Sequence, residues 1–277
     1  MDSYDHAANV VRTRDRDRYV ADLFAPPALR KHLFALHAFD LETARVARIV
    51  SEPKLGEIRL QWWRDALAAR DGGGNPVAAA AIATLEAFAL PAAALDMLVE
   101  ARIFDLYDDP MPTLDALEAY AGETASALLQ LAAIILAGGR DPGSADAAGY
   151  GGVGLTLVAL LQALAVDPGA GKYVPEELLE RHGVSRADLA ARRTSPEVLA
   201  LTADLRSIAG RHLERAAAAC ASLPTATDPA FLPLALARAR LDRLARNAAR
   251  PFAPSDYPAW RRVWIIWRSA RRQRARG

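Results

Sequence analysis

Four arginines stand among residues patterned for burial in the stretch LHAFDLETARVARIVSEPKLGEIRLQWWRDAL, Leu36 to Leu67. They are Arg45, Arg48, Arg59 and Arg64, and Trp62 and Trp63 stand side by side among them. A guanidinium is planar, permanently charged and shaped to match phosphate or carboxylate oxygens. The chemistry such a set can do is anion binding. Residues three and four apart share a helix face, which makes Glu42 a neighbour of Arg45 and Arg45 a neighbour of Arg48. The same arginines could instead pair with Glu42, Glu52 or Glu57 while their stems cover apolar surface. Adjacent helical residues point about 100° apart. One tryptophan can therefore enter a core while the other lies at an interface or pocket wall.

Other candidate groups give weaker signals. The five histidines are scattered and none has the spacing of a helical metal pair. His182 before Gly183 reads as a helix-end residue, and Asp108-Asp109-Pro110 reads as a loop. Gly151-Gly152-Val153-Gly154 opens no phosphate loop, because no strand precedes it. The single cysteine, Cys220, excludes a disulfide framework and a multi-cysteine metal site within one chain.

The elements that must position these residues read as helices. Apolar spacing and stop signals predict helices over 28–48, 56–70, 78–88, 91–107, 113–137 and 149–166. Further helices are expected at 175–181, 186–192, 195–221, 231–247 and 258–274, with Ser185 and Asp188 as a capping box. Of 277 residues 52% are hydrophobic, with few aromatics, which favours one large all-α domain spanning 1–277. The net charge of +1 argues against nucleic acid as a partner. The charged N-terminus lacks the apolar run of a secretory signal. The runs ALLQLAAIILAGG and VGLTLVALLQALAV fall short of the roughly 18 residues of a membrane span.

With these residues in place, the chain resembles the squalene/phytoene synthase family over nearly its whole length. LFALHAFDLETARVARIV resembles the family helix that carries Tyr-Ala-Phe followed by a DxxxD motif. GEIRLQWWRDAL resembles the helix after it, and YVPEELLERHGV resembles the Gly-Arg-x-Tyr-x-Pro segment and its short helix. The resemblance implies the single-domain, all-α isoprenoid synthase fold, with helices around a central cavity. The family chemistry it implies is head-to-head condensation of two prenyl diphosphates. Two DxxxD motifs on facing helices hold Mg²⁺ there, which neutralises the departing diphosphate.

At the motif positions this chain differs. With His37-Ala38-Phe39 as anchor, Ala44 and Arg48 stand where the first aspartate pair would be. Asp40 and Glu42 diverge by about 200° around the helix. The second motif falls on Ala159 to Asp167, with Ala159, Gln162 and Ala163 in place of its asparagine, arginine and first aspartate. Asp167 matches and is the one metal-ligand candidate, but Pro168 follows it directly. GKYVP keeps Gly171, Lys172 and Pro175 and is one residue shorter than the family segment. EPKLGEIRLQWWRDAL resembles a divergent branch of the family that includes a mitochondrial complex I assembly factor.

The resemblance and its departures together predict a protein without standard synthase activity. It would bind an isoprenoid or other lipid, or serve in respiratory-complex assembly with a protein partner. No catalytic residue is assigned, and no cofactor, although Mg²⁺ belongs to the family. Arg45, Arg48, Arg59, Trp63, Lys172 and Tyr173 are the expected contacts to a prenyl diphosphate or other anionic lipid. Alternatives are an active prenyltransferase with unusual ligands and a surface-only helical protein with a filled cavity. The expected location is cytoplasmic, peripheral on an inner membrane. Contact with an anionic bilayer would run through the basic tail, about 268–277, while Trp260, Trp264 and Trp267 pack mostly inward.

Overall fold

The computed structural model describes residues 2–274, and among them there is no strand. Two charged helices come first. α1 (Ser3–Arg14) is capped by Asp2, whose carboxylate accepts from the Asp5 amide at 2.7 Å. α2 (Arg16–Asp22) is capped in the same way by Asp15. Sequence periodicity does not predict either helix, because arginines and aspartates surround the few apolar positions. Ala7, Val10 and Val11 nevertheless fall three and four apart and are buried.

α3 (Pro27–Ile49) and α4 (Pro53–Ala69) each begin on a proline, whose fixed φ suits the first helical turn. The expected start of α4 at Gly56 is therefore three residues late. α5 (Pro76–Ala87) is capped by Asn75, which accepts from the amides of Val77 and Ala78. α6 (Ala92–Ala101) stops short of the expected Tyr107, because the chain tightens into a 3₁₀ turn over Phe104–Leu106. α7 (Leu114–Ala121), capped by Thr113, runs through a π turn (Gly122–Ser126) into α8 (Ala127–Leu136). This continuous segment, Leu114–Leu136, is long and apolar enough to cross a membrane on length and composition alone, more than its apolar run suggested. More than half of its most apolar window is buried inside the bundle, as befits a core helix.

α9 (Ala145–Ala163) starts four residues before the expected Gly149. A 3₁₀ turn (Pro168–Tyr173) leads to α10 (Glu176–His182) and α11 (Arg186–Ala190). The Ser185–Asp188 capping box is present, and Gly183 takes the left-handed conformation that ends α10. α12 (Pro196–Cys220), α13 (Asp228–Arg246) and α14 (Ala259–Arg274) complete the bundle.

α9 packs against α12, α13, α8, α7 and the π turn. Its glycines permit this: a Cβ on Gly152 would overlap the backbone of Ser126, and one on Gly154 would lie 2.7 Å from Leu213. The sequence Gly151-Gly152-Val153-Gly154 is thus a close-packing face. One apolar core gathers α1, α3, α5, α6 and α8, and a second gathers α9, α10, α12 and α13.

Candidate functional site

A cavity of about 300 Å³ opens among α2, α3, α8, α9, α13 and α14. Leu128 and Leu129 of α8, Leu155 and Val158 of α9, Leu236 of α13 and Ile266 of α14 give it apolar wall. Asp17, Arg18 and Asp22 of α2 with its cap Asp15, His37 of α3 and Arg240 of α13 give it polar wall. The interior is not filled by side chains at this place, unlike the filled cavity of the surface-only alternative.

Each polar side chain of the wall has a partner. Asp22 and the His37 ring meet at 2.7 Å. Burial lifts the Asp22 carboxyl above its usual range, and His37 and Arg18 offset this only in part. Asp17 binds Arg240 and Arg262, both at 2.9 Å, and Asp256 binds the same two arginines at 2.9 and 3.0 Å. Arg18 binds Asp15 at 3.4 Å and Asp40 at 2.9 Å. Burial works against its charge, but Asp15 and Asp40 outweigh burial and raise its pKa.

Behind this wall lies a network that the sequence reading missed. Asp40, 5% exposed, holds Arg18 on one oxygen and Arg102 on the other, the latter at 2.6 Å. Arg102 donates also to the Tyr120 hydroxyl at 2.6 Å and pairs with Asp105 at 3.3 Å. Tyr120 and Tyr173 both donate to Asp105, at 2.9 and 2.7 Å. Burial, and then the Asp105 charge, push the Tyr173 hydroxyl far above its ordinary pKa, so it stays a donor. A signal was available: Asp40 is an acid set between Phe39 and Leu41, inside a core-patterned run.

The expected ligand contacts are placed differently. Arg45, Arg48 and Arg59 are exposed, make no ion pair among the described residues and do not line this cavity. α3 turns His37 and Asp40 inward, so by Arg48 the helix has run out to its solvent end. Glu42 pairs with Arg14 at 2.7 Å, not with Arg45. Arg64 is held by Asp96 at 2.8 Å and by Glu100. Trp63 is a core residue, edge-on to Phe39 with ring centroids 5.2 Å apart, while Trp62 is exposed. Lys172 is buried, and its ammonium donates to the carbonyls of Phe104, Asp105 and Tyr107, the last at 2.6 Å. Burial lowers its pKa, and Asp105 opposes this. Lys172 and Tyr173 thus come together with Asp105, apart from the arginines of α3 and α4. His182 ends α10 and meets Asp204 at 3.2 Å, and Asp108 lies in a loop paired with Arg186 at 2.6 Å.

Ala159 and Gln162 line the cavity from α9 and His37 lines it from α3, so the two helices that carry the motif positions share it. Ala44 is half-buried. Asp167 is exposed and accepts the Gly169 amide at 2.8 Å as a turn cap. Among the described residues no three His, Cys, Asp or Glu side chains gather as a metal site. Each carboxylate at the cavity is already held by an arginine or by the His37 ring, so the residues present do not fit a Mg²⁺ ion.

A family model described as squalene/phytoene synthase matches residues 11–268. The chain belongs to the squalene/phytoene synthase family. Among curated relatives, NADH dehydrogenase (ubiquinone) complex I, assembly factor 6 of Homo sapiens is 30% identical over 254 residues, covering 90% of this chain and 76% of the relative. The Rattus norvegicus protein of the same name is 29% identical over 258 residues, covering 92% and 77%. Both fit the divergent branch of the family. Among solved structures, a dehydrosqualene synthase in complex with ligand superposes with a TM-score of 0.81 at 16% identity, covering 99% of this chain and 97% of that one. Squalene synthase from Alicyclobacillus acidocaldarius gives 0.75 at 21%, covering 90% and 95%. The fold of this squalene/phytoene synthase-family protein is therefore the all-α isoprenoid synthase fold.

Proposed function

We propose that this chain does not catalyse Mg²⁺-dependent prenyl diphosphate condensation and instead binds an isoprenoid or other lipid in its cavity, or serves as an assembly-type factor for a respiratory complex. The observation that carries the reading is the cavity itself. It is open, walled by apolar residues of α8, α9, α13 and α14, and every carboxylate on it is already held by an arginine or by the His37 ring. Ionising an allylic diphosphate needs concentrated positive charge that is free to move onto the leaving group. Here Ala44 and Arg48 stand on α3, and Ala159, Gln162 and Ala163 on α9, where the family pattern has metal-binding and diphosphate-binding groups. An apolar cavity with a polar wall suits one amphipathic guest.

The names of the curated relatives support the assembly role and a protein partner. We read residues 1–277 as one unit, cytoplasmic and peripheral on a membrane that holds the respiratory complex. The test is twofold on the full-length protein. Lipids extracted from natively purified protein should contain one enriched isoprenoid or anionic species by mass spectrometry. Incubation with farnesyl or geranylgeranyl diphosphate and Mg²⁺ or Mn²⁺ should give no squalene, presqualene diphosphate or phytoene above a control without protein. Product formation would favour an active prenyltransferase with unusual ligands and overturn the reading.

A further inference from the structure

α14 has two faces of different character. Its inner face docks through Ile266 and Ala270, which are 0% and 5% exposed, against α2 and α13. Arg262, on the same side, is tied to Asp17 and Asp256. Its outer face carries Trp260, Trp264 and Trp267, which are 70%, 45% and 42% exposed. At helical spacing these three and Arg271 fall within an arc of about 60° and a length of about 16 Å. This corrects the expectation that the tryptophans pack inward: Ile266 and Ala270 are the smaller, flatter side and take that place.

The outer face is also uniformly basic. Arg261, Arg268, Arg271 and Arg272 are exposed, and no acid occurs from Ala259 onward. The Arg268 guanidinium lies 5.0 Å over the Trp264 ring and that of Arg271 5.0 Å over Trp267. Such pairs keep a cation next to an apolar ring, at the depth where lipid headgroups meet acyl chains. Scattered surface aromatics are ordinary, but a continuous tryptophan stripe rimmed by cations marks an interaction surface. Its charge complements a surface rich in phosphate, and its Trp and Arg composition is that of a helix lying in a bilayer interface.

We infer that the outer face of α14 docks this protein flat on an anionic lipid bilayer, with Trp260, Trp264 and Trp267 inserted at headgroup level and the arginines on lipid phosphates. The inference rests on the membrane placement proposed above and names the surface that makes it. It assigns contact to the body of the helix as well as to the basic tail, of which residues 275–277 lie outside the described residues. Ile266 is part of the cavity wall. Docking by α14 therefore sets the cavity about one helix diameter, roughly 10 Å, from the bilayer.

The test is co-sedimentation of the full-length protein with phosphatidylcholine vesicles, with and without phosphatidylglycerol, at low and high salt. Two variants are compared, Trp264→Ser/Trp267→Ser and Arg268→Glu/Arg271→Glu. All four positions are exposed, and circular dichroism melting checks that both variants stay folded. The wild type should bind phosphatidylglycerol vesicles, release in high salt, and show tryptophan quenching by brominated lipid. Each variant should lose about tenfold in vesicle affinity, and the tryptophan variant should lose most of the quenching. Binding retained by both variants overturns the assignment to α14 and leaves membrane placement standing. No binding by the wild type overturns both, and a tryptophan-dependent dimer without vesicle binding gives the face to a second copy instead. None of these outcomes depends on which lipid the cavity retains.

Discussion

Asp40 and Arg102 are 62 positions apart in sequence and meet at 2.6 Å inside the bundle. Arg18 completes the bridge from the other side of the same carboxylate. Removing the acid leaves two guanidinium groups facing each other with little water. Breaking a buried pair this way costs about 3–5 kcal/mol. We expect Asp40→Ala to lower the urea unfolding free energy by that amount. A loss under about 1 kcal/mol would mean that solvent screens the pair as it does a surface bridge.

The same pair predicts a pH dependence. Burial opposes ionisation of Asp40, but Arg102 and Arg18 outweigh it and hold the carboxyl below its ordinary range. Its contribution is therefore complete above the ordinary aspartate pKa of about 4 and is lost as pH falls through the lower folded value. Asp22, whose pKa is raised by burial, acts in the opposite direction and gains from protonation. Urea midpoints followed from about pH 6 to about pH 2.5 should fall in the wild type. In Asp40→Asn the fall should be shallower, and an equally steep acid limb in both would contradict this account.

Two glycines three residues apart on α9 should respond with opposite signs. Gly152 faces Ser126 with no room for a methyl group, so Gly152→Ala should destabilise by about 2 kcal/mol or more through forced separation of α9 from the π turn. Gly149 has open space around its Cβ position, and alanine there should stabilise by up to about 1 kcal/mol from helix propensity. Thermal melts of the two variants measure the difference directly.

Filling the cavity should matter more than removing the arginines first suspected. Arg45→Ala/Arg48→Ala should change stability by no more than about 0.5 kcal/mol, because both side chains are exposed and unpaired among the described residues. It should leave the lipid that co-purifies with the protein unchanged. Leu155→Trp places an indole in the cavity and should abolish that lipid while the helical circular dichroism persists. Equal lipid recovery from both variants would place the ligand elsewhere.

The helices were legible where apolar spacing and caps agreed. α3 is an example, with an apolar stripe on a long helix, and α12 is another, with Ser195, Pro196 and Glu197 at its start. α1 and α2 were not legible, since their charges pair outside their own helix, Arg14 with Glu42, Arg18 with Asp40 and Asp17 with Arg240. For the same reason the Asp40–Arg102–Asp105 network could not be read from local spacing. Arg45 and Arg48 were expected at the ligand because the resemblance puts the first motif on α3. Only His37 of that helix reaches the cavity, and both arginines lie on its exposed side near the C-terminal end. On α14 spacing put the tryptophans on one face, but periodicity alone could not tell that Ile266 and Ala270 would take the buried side.

Asp17 closes onto Arg240 and Arg262 across 223 and 245 positions of chain. Seen as a matter of timing during synthesis, this makes the cavity the last part of the protein to exist. Leu128, Leu129 and Leu155 leave the ribosome well before Leu236 and Ile266, which cover them. At roughly 5–20 residues per second, the nascent chain carries that open apolar trough for several seconds before α13 and α14 arrive. During that interval a lipid tail competes with no side chain for the space. A guest of the kind proposed above would then be enclosed as the chain finishes folding.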